Sequence, residues 1–265
     1  MIYINNSPKL EKINLKQDNF YVVADFDRTI TAGDSISTWG IMSQIKDIEK
    51  DYQKERLALY NHYRPIEIDN TISEEEKSRE MSNWCNEHIN LLYKYDIREY
   101  MLKEVVREGN LKYRDGAKEF LKKLNDLNIP IIIISAGIGN VIEEFFKIQN
   151  DYYSNIKIIS NFIQFENGKI KKFKQAPIHA LNKNIVKLDE ESKKKISLKD
   201  NILLLGDGIP DLKMISQKQK ERAITVGFLD ENISENLKFY NKEFDIVITN
   251  NGSFDDLNQI LYSIE

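Results

Sequence analysis

Apolar residues gather along this chain in short unbroken runs, separated by longer stretches in which they recur every third or fourth position. The unbroken runs are YVVAD at 21–25, IPIIIIS at 129–135, NILLLGD at 201–207 and RAITVGF at 222–228. A continuous apolar run without alternation is what a strand buried on both faces requires. Three of these runs end in a polar residue, followed by a glycine-containing or acidic turn and then a helical pattern. That order predicts a parallel α/β sheet, and such sheets bind ligands beyond the carboxyl ends of their strands.

Between the first two runs lie about a hundred residues with no comparable strand, only helix-period segments such as STWGIMSQIKDIEKDYQKERLALYNHY and SEEEKSREMSNWCNEHINLLYKY. A single crossover helix does not need that much chain. The pattern predicts a helical cap inserted over 36–110, standing above the ligand edge of a core formed by 1–35 and 111–265. A helix over 115–127 returns the chain to that core. Further on, the Asn-Gly pair within IQFENGKIKKF predicts a β-hairpin between 161 and 174.

Composition narrows the partners. The chain has 265 residues, 41% of them hydrophobic, which is enough for a sizeable core, and a formal net charge of -4. No strong basic field exists to gather a nucleic-acid polymer or an anionic membrane, so any phosphate is held locally. The one cysteine, Cys85, has no partner for an internal disulfide and no zinc-ligand pattern around it. With no leader-like start and no apolar stretch long enough to span a bilayer, the expectation is a cytoplasmic protein without membrane contact.

The candidate chemistry sits where the runs end. Within VVADFDRTIT, Asp25 and Asp27 share one face if the chain stays extended. Two close carboxylates repel and are tolerated when a cation lies between them or one stays protonated; a plain helix cap and turn would also use these residue types. The third run, LLLGDGIPDL, adds Asp207 and Asp211 at a second strand end. Four acids converging on one sheet edge call for a hard divalent cation, and Mg²⁺ is the natural one. The second run ends in Ser135, Ala136, Gly137, Ile138 and Gly139, a strand-to-helix turn whose amides and hydroxyl suit an anion. Lys183, within HALNKN, is a candidate cation opposite the metal, although the sequence by itself favours a solvated lysine and only a family resemblance raises it.

Taken together, these residues resemble the haloacid dehalogenase (HAD) superfamily of phosphohydrolases, whose signature is Asp-x-Asp-x-Thr, then Ser or Thr, then Lys, then Gly-Asp-x-x-x-Asp. More narrowly, the chain is similar to the pyrimidine 5'-nucleotidase family, also called cytosolic 5'-nucleotidase III. That likeness rests on IPIIIISAGIGNVIEE at 129–144, ISNFIQFENGKI at 159–170, IHALNK at 178–183, ILLLGDGIPDLKM at 202–214 and HYRPIEID at 62–69. The segment TAGDSISTWG after Arg28 departs from the family's usual sequence.

The resemblance implies a HAD-like Rossmannoid α/β fold with an inserted helical cap. It also implies a Mg²⁺-dependent phosphomonoesterase acting on a small phosphomonoester, a nucleoside monophosphate such as CMP or UMP. Asp25 matches the nucleophile that forms an aspartyl-phosphate and Asp27 the general acid and base. Asp25, Asp207 and the Asp27 carbonyl match the metal-binding set, with Asp211 supporting the metal or orienting Lys183. Ser135, the Ala136 amide and Lys183 match the phosphate-binding groups, and Thr29 steadies the loop. In the cap, Glu67 matches a base-contacting residue, His88 is a further substrate-facing candidate, and Trp84 or Tyr63 could stack on a base. His62 and His179 read as cap and helix-start residues. A phosphatase of a small metabolite such as phosphoserine, or a binding protein that kept the fold, are the rival readings.

Overall fold

The computed structural model of the chain describes residues 1–4, 19–46, 48, 50–69 and 71–262. Among the described residues the sheet strands are β1 (Ile2–Ile4), β2 (Phe20–Ala24), β3 (Ile131–Ile138), β4 (Ile156–Asn161), β7 (Asn201–Gly206), β8 (Ala223–Leu229) and β9 (Ile246–Thr249). They lie in the order β1-β9-β8-β7-β2-β3-β4. Every neighbouring pair is parallel except β1 with β9. The hairpin β5 (Ile163–Glu166) and β6 (Lys169–Phe173) stands apart, closed by Asn167 and Gly168, both at positive φ. This is the turn that Asn-Gly favours.

The unbroken apolar runs are explained by burial on both sides. Val22 and Ala24 of β2 face one hydrophobic cluster, shared with Ile133, Leu203 and Val226. Tyr21 and Val23 face a second, shared with Ile132, Leu204 and Phe244. Alternating side chains therefore both need apolar surroundings, and no polar position interrupts the run. The chain moves outward from β2 through β3 and β4, then returns to the other side of β2 for β7, β8 and β9. The strand order thus reverses between β2 and β7, which is the switch point where open α/β sheets bind ligands.

Between β2 and β3 the chain forms a 3-10 turn at Gly40–Gln44 and the helices α1 (Lys50–Ile68), α2 (Glu74–Lys94) and α3 (Glu99–Glu108). Ser73 caps α2 by accepting from the Glu76 N–H, and Glu74, Glu75 and Glu76 place negative charge on its first turn. Helix α3 packs against α5 (Gly139–Gln149), the helix after β3. Its Leu102, Val105 and Val106 join the same cluster as the strands, as do Tyr52 of α1 and Leu92 of α2. The helix returning to the sheet is α4 (Ala117–Asp126).

The two passages between sheet and helical segment run side by side. Thr31 pairs with Tyr113, the Ala32 N–H donates to Lys112 O at 3.0 Å, and the Arg114 N–H donates to Ile30 O at 2.9 Å.

Candidate active site

Adjacent strands bring the first acids together. Ala24 lies opposite Leu205 in the β2–β7 register, and the Asp25 N–H donates to Leu205 O at 3.0 Å, so Asp25 and Asp207 leave the sheet side by side. A 3-10 helix at Ile209–Met214 then turns Asp211 back toward them. Its Oδ2 accepts from the N–H groups of Asp207 at 3.1 Å and Gly208 at 3.0 Å. Gly206 makes this possible, since a Cβ there would sit 2.5 Å from the Asp211 Cβ. Carboxylate oxygens of Asp25, Asp207 and Asp211 all lie within 4.8 Å of one another.

Lys183 enters from a short 3-10 turn at Lys183–Ile185 and is 3% exposed. Its Nζ meets Asp25 Oδ1 at 2.7 Å and Asp211 Oδ1 at 2.6 Å. The solvated alternative for this lysine is thereby set aside. Burial opposes its charge, but Asp211 and Asp25 outweigh that and hold the ammonium firmly protonated.

One ammonium does not balance three acids. Burial, opposed by Lys183 but reinforced by Asp211, pushes Asp25 up to about 7, and burial together with Asp211 and Asp25 raises Asp207. A cation among these oxygens would relieve both, and an all-oxygen donor set suits a hard divalent ion. The residues present therefore fit such an ion.

Asp27 is not part of this carboxylate group. Residue 38 takes both of its oxygens, the Thr38 N–H donating to Oδ1 at 2.9 Å and the Thr38 hydroxyl to Oδ2 at 2.7 Å. Burial raises its pKa against these bonds.

Ser135 and Ala136 lie in β3 itself, which runs to Ile138 through a register shift against β4 before α5 begins at Gly139. The turn expected at SAGIG is therefore an irregular strand end. Ser135 Oγ accepts from the Gly137 N–H at 3.0 Å, and Ala136 O accepts from Trp39 Nε1 at 2.9 Å and Asn161 Nδ2 at 2.8 Å.

The helical-segment candidates connect to the acids through intermediaries. Glu67 on α1 pairs with Arg64, which reaches Glu231, itself 2.8 Å from Arg28 beside Asp27. His88 on α2 stacks on Trp39 at 5.2 Å and lies 5.7 Å from Trp84, which stacks on Tyr63 at 5.8 Å. Among the described residues the buried Trp84 Nε1 and His88 Nε2 have no hydrogen-bond partner.

Several contributors had no sequence signal. The Thr29 hydroxyl, expected to steady the loop after Asp27, is buried and has no partner among the described residues. Thr31 Oγ1 does that work, accepting from the Arg28 N–H at 2.7 Å, together with the fully buried Arg114, which donates to Thr29 O at 3.1 Å and pairs with Asp230 at 2.7 Å. Thr38 and Trp39 lie in the segment with no family pattern to point them out. His179 is not a helix-start residue: the Leu181 N–H donates to its Nδ1 at 3.2 Å, so its Nε2 carries the proton facing Ser82 Oγ at 3.1 Å on α2.

The chain is similar to proteins already known. The family model described as pyrimidine 5'-nucleotidase (UMPH-1) matches residues 26–265. The 7-methylguanosine phosphate-specific 5'-nucleotidase of Homo sapiens is 34% identical over 255 residues, covering 93% of this chain and 85% of that protein. In three dimensions, the crystal structure of cytosolic 5'-nucleotidase IIIB bound to cytidine matches with a TM-score of 0.86 at 28% identity, over 99% of this chain and 93% of that one. A probable phosphoserine phosphatase from Vibrio cholerae, at 17% identity and a TM-score of 0.61 over 94% of this chain and 65% of that one, shares the fold alone. With a HAD-type parallel sheet and a family match over nearly its whole length, the chain belongs to the pyrimidine 5'-nucleotidase (UMPH-1) family of phosphoric monoester hydrolases.

Proposed function

We propose that the chain is a Mg²⁺-dependent 5'-nucleotidase that dephosphorylates pyrimidine nucleoside 5'-monophosphates by way of an aspartyl-phosphate. The observation that carries this reading is the buried ammonium of Lys183 between Asp25 and Asp211, beside Asp207 at the neighbouring strand end. Mg²⁺ would be held by Asp25, Asp207 and the Asp27 carbonyl, with Asp211 in support, and when bound supplies neutralisation of phosphate charge. Lys183 fixes the rotation of the Asp25 carboxylate. A free Asp25 oxygen forms the bond to phosphorus as the bond to the nucleoside 5'-oxygen breaks. Asp27 gives that oxygen its proton and later takes one from the water that releases phosphate from Asp25. The Ser135 hydroxyl accepts from Gly137 and keeps its own proton for a phosphoryl oxygen, alongside Lys183 and the Ala136 amide.

Residues 36–110 would act as a cap over a core of 1–35 and 111–265, presenting Glu67 and the Trp39, His88, Trp84 and Tyr63 rings to a base. The unpartnered Trp84 and His88 nitrogens support a polar, flat ligand there. Relatives of this chain carry names specifying 7-methylguanosine phosphate, while its family model is named for pyrimidines. The pairing of Glu67 with Arg64 favours the neutral pyrimidine, because the carboxylate charge that a cationic 7-methylguanine would seek is already compensated. Among the described residues no helix is long and apolar enough to cross a membrane. A relative named as a cytosolic 5'-nucleotidase supports a cytoplasmic setting.

Steady-state hydrolysis of CMP, UMP, 7-methylguanosine 5'-monophosphate and phosphoserine, with and without Mg²⁺, tests the proposal. CMP and UMP should exceed phosphoserine in kcat/KM by at least about tenfold; the reverse order would favour a small-metabolite phosphatase. Asp25→Asn should abolish turnover, whereas a binding protein would show none in either form.

A further inference from the structure

Thr38 is fully buried in the passage from β2 to the helical segment and bonds to groups that belong to two other segments. Besides donating to both oxygens of Asp27, at 2.9 Å from its N–H and 2.7 Å from its hydroxyl, it accepts from the Ile138 N–H at 3.2 Å. The end of β3 is pressed against it, since a Cβ on Gly137 would stand 2.0 Å from Thr38 Oγ1. The next residue is fixed as well: Trp39 donates to Ala136 O at 2.9 Å and its ring lies on His88. A carboxylate that merely caps a turn takes N–H groups two or three residues ahead. Asp27 instead takes a hydroxyl and an N–H eleven residues ahead, and that hydroxyl is oriented by a third segment.

Each carboxylate oxygen can accept two hydrogen bonds, and Thr38 occupies one on each. Both torsions of the Asp27 side chain are thereby set, while one lone pair per oxygen stays open. We infer that Thr38 is a positioning residue for proton transfer, holding the Asp27 carboxylate in the single rotation in which it serves the leaving oxygen. This rests on the proposed roles of Asp25 and Asp27. A carboxyl free to rotate would be misplaced for most of the time, and proton transfer depends steeply on placement.

The experiment compares kcat/KM for CMP and for p-nitrophenyl phosphate, with Mg²⁺, in wild type, Thr38→Val, Thr38→Ser and Asp25→Asn. This ratio reports on steps through departure of the leaving group. The nucleoside oxygen needs a proton as it leaves and the nitrophenolate does not. T38V keeps the volume and the backbone N–H but loses the hydroxyl, so its kcat/KM for CMP should fall about 10- to 100-fold. For the aryl ester the loss should stay within about threefold, and T38S should recover CMP turnover to within about threefold of wild type. Thr38→Ala carries the same expectation should the valine variant fail to fold. Equal losses on both substrates, an unchanged CMP rate, or a serine variant as poor as valine each overturn the inference. Absence of turnover by wild type overturns the nucleotidase reading and this inference together, while normal wild-type turnover that Asp25→Asn abolishes leaves the Thr38 comparison to stand by itself.

Discussion

Arg114 shows how much a single buried residue contributes to the loop that carries the acids. Its side chain is entirely inside the protein, yet it donates to the carbonyls of Arg28, Thr29 and Gly252 and to Asn251 Oδ1, pairs with Asp230 at 2.7 Å, and lies 4.3 Å from the Phe228 ring centre. Three loops at the ligand edge thus share one guanidinium. Replacing it by methionine takes this donor from Asp230 Oδ2 and from several carbonyls, and breaking a buried pair in this way costs on the order of 3–5 kcal/mol. Arg114→Met should lower the urea midpoint accordingly. Arg114→Lys should recover less than half of the loss, because an ammonium does not reproduce the planar fork. A lysine variant as stable as wild type would show that charge alone matters here.

At the scale of elements, the close approach of β7 to the 3-10 helix at Ile209–Met214 sets the acid geometry. Gly206→Ala would place a methyl 2.5 Å from the Asp211 Cβ, forcing that carboxylate away from the amides it caps and from Lys183. Overpacking of this kind costs about 1–3 kcal/mol, and CMP hydrolysis should fall by at least about tenfold with it; chemical denaturation and a steady-state assay check the two halves separately. The strands that carry this site were readable in advance because each is buried on both faces, as the runs at 201–207 and 222–228 show. β4, with the half-buried Lys157 at the sheet edge, breaks its apolar run, and β1 and β9 are only 3 and 4 residues long, so neither periodicity nor length marks them. The positions of Asp25, Asp207 and Asp211 followed from strand ends and motif spacing, and that of Lys183 from the family resemblance alone. Thr38 and Arg114 did not, because their significance lies in contacts with residues up to 138 positions away, and no local pattern encodes those.

For the molecule as a whole, the helical segment is docked on the sheet through contacts of different chemistry, among them Glu74 with Lys213, Arg64 with Glu231, and Ser82 with His179. The last of these is sensitive to acid. Burial pulls His179 down to about 4, and burial together with Arg56 pulls His88 to about 4 as well, so the folded protein keeps both rings neutral. Above the ordinary histidine pKa of about 6.5 neither state is charged, and these rings leave stability independent of pH. Between about 6.5 and 4 the unfolded chain takes up protons that the folded one refuses, so stability falls as pH falls, by at most on the order of 3 kcal/mol per ring. Below about 4 their contribution is flat again. A protonated His179 would also turn an N–H toward the Leu181 N–H that Nδ1 now accepts, so the contact that gives way is the one inside the segment leading to Lys183, while Nε2 still faces Ser82 on α2. His179→Gln has no proton to gain, and its unfolding free energy should therefore decline less steeply than that of wild type between pH 6.5 and 4.5. Denaturant titrations at half-unit steps measure both slopes, and identical slopes would mean that burial does not hold this ring neutral.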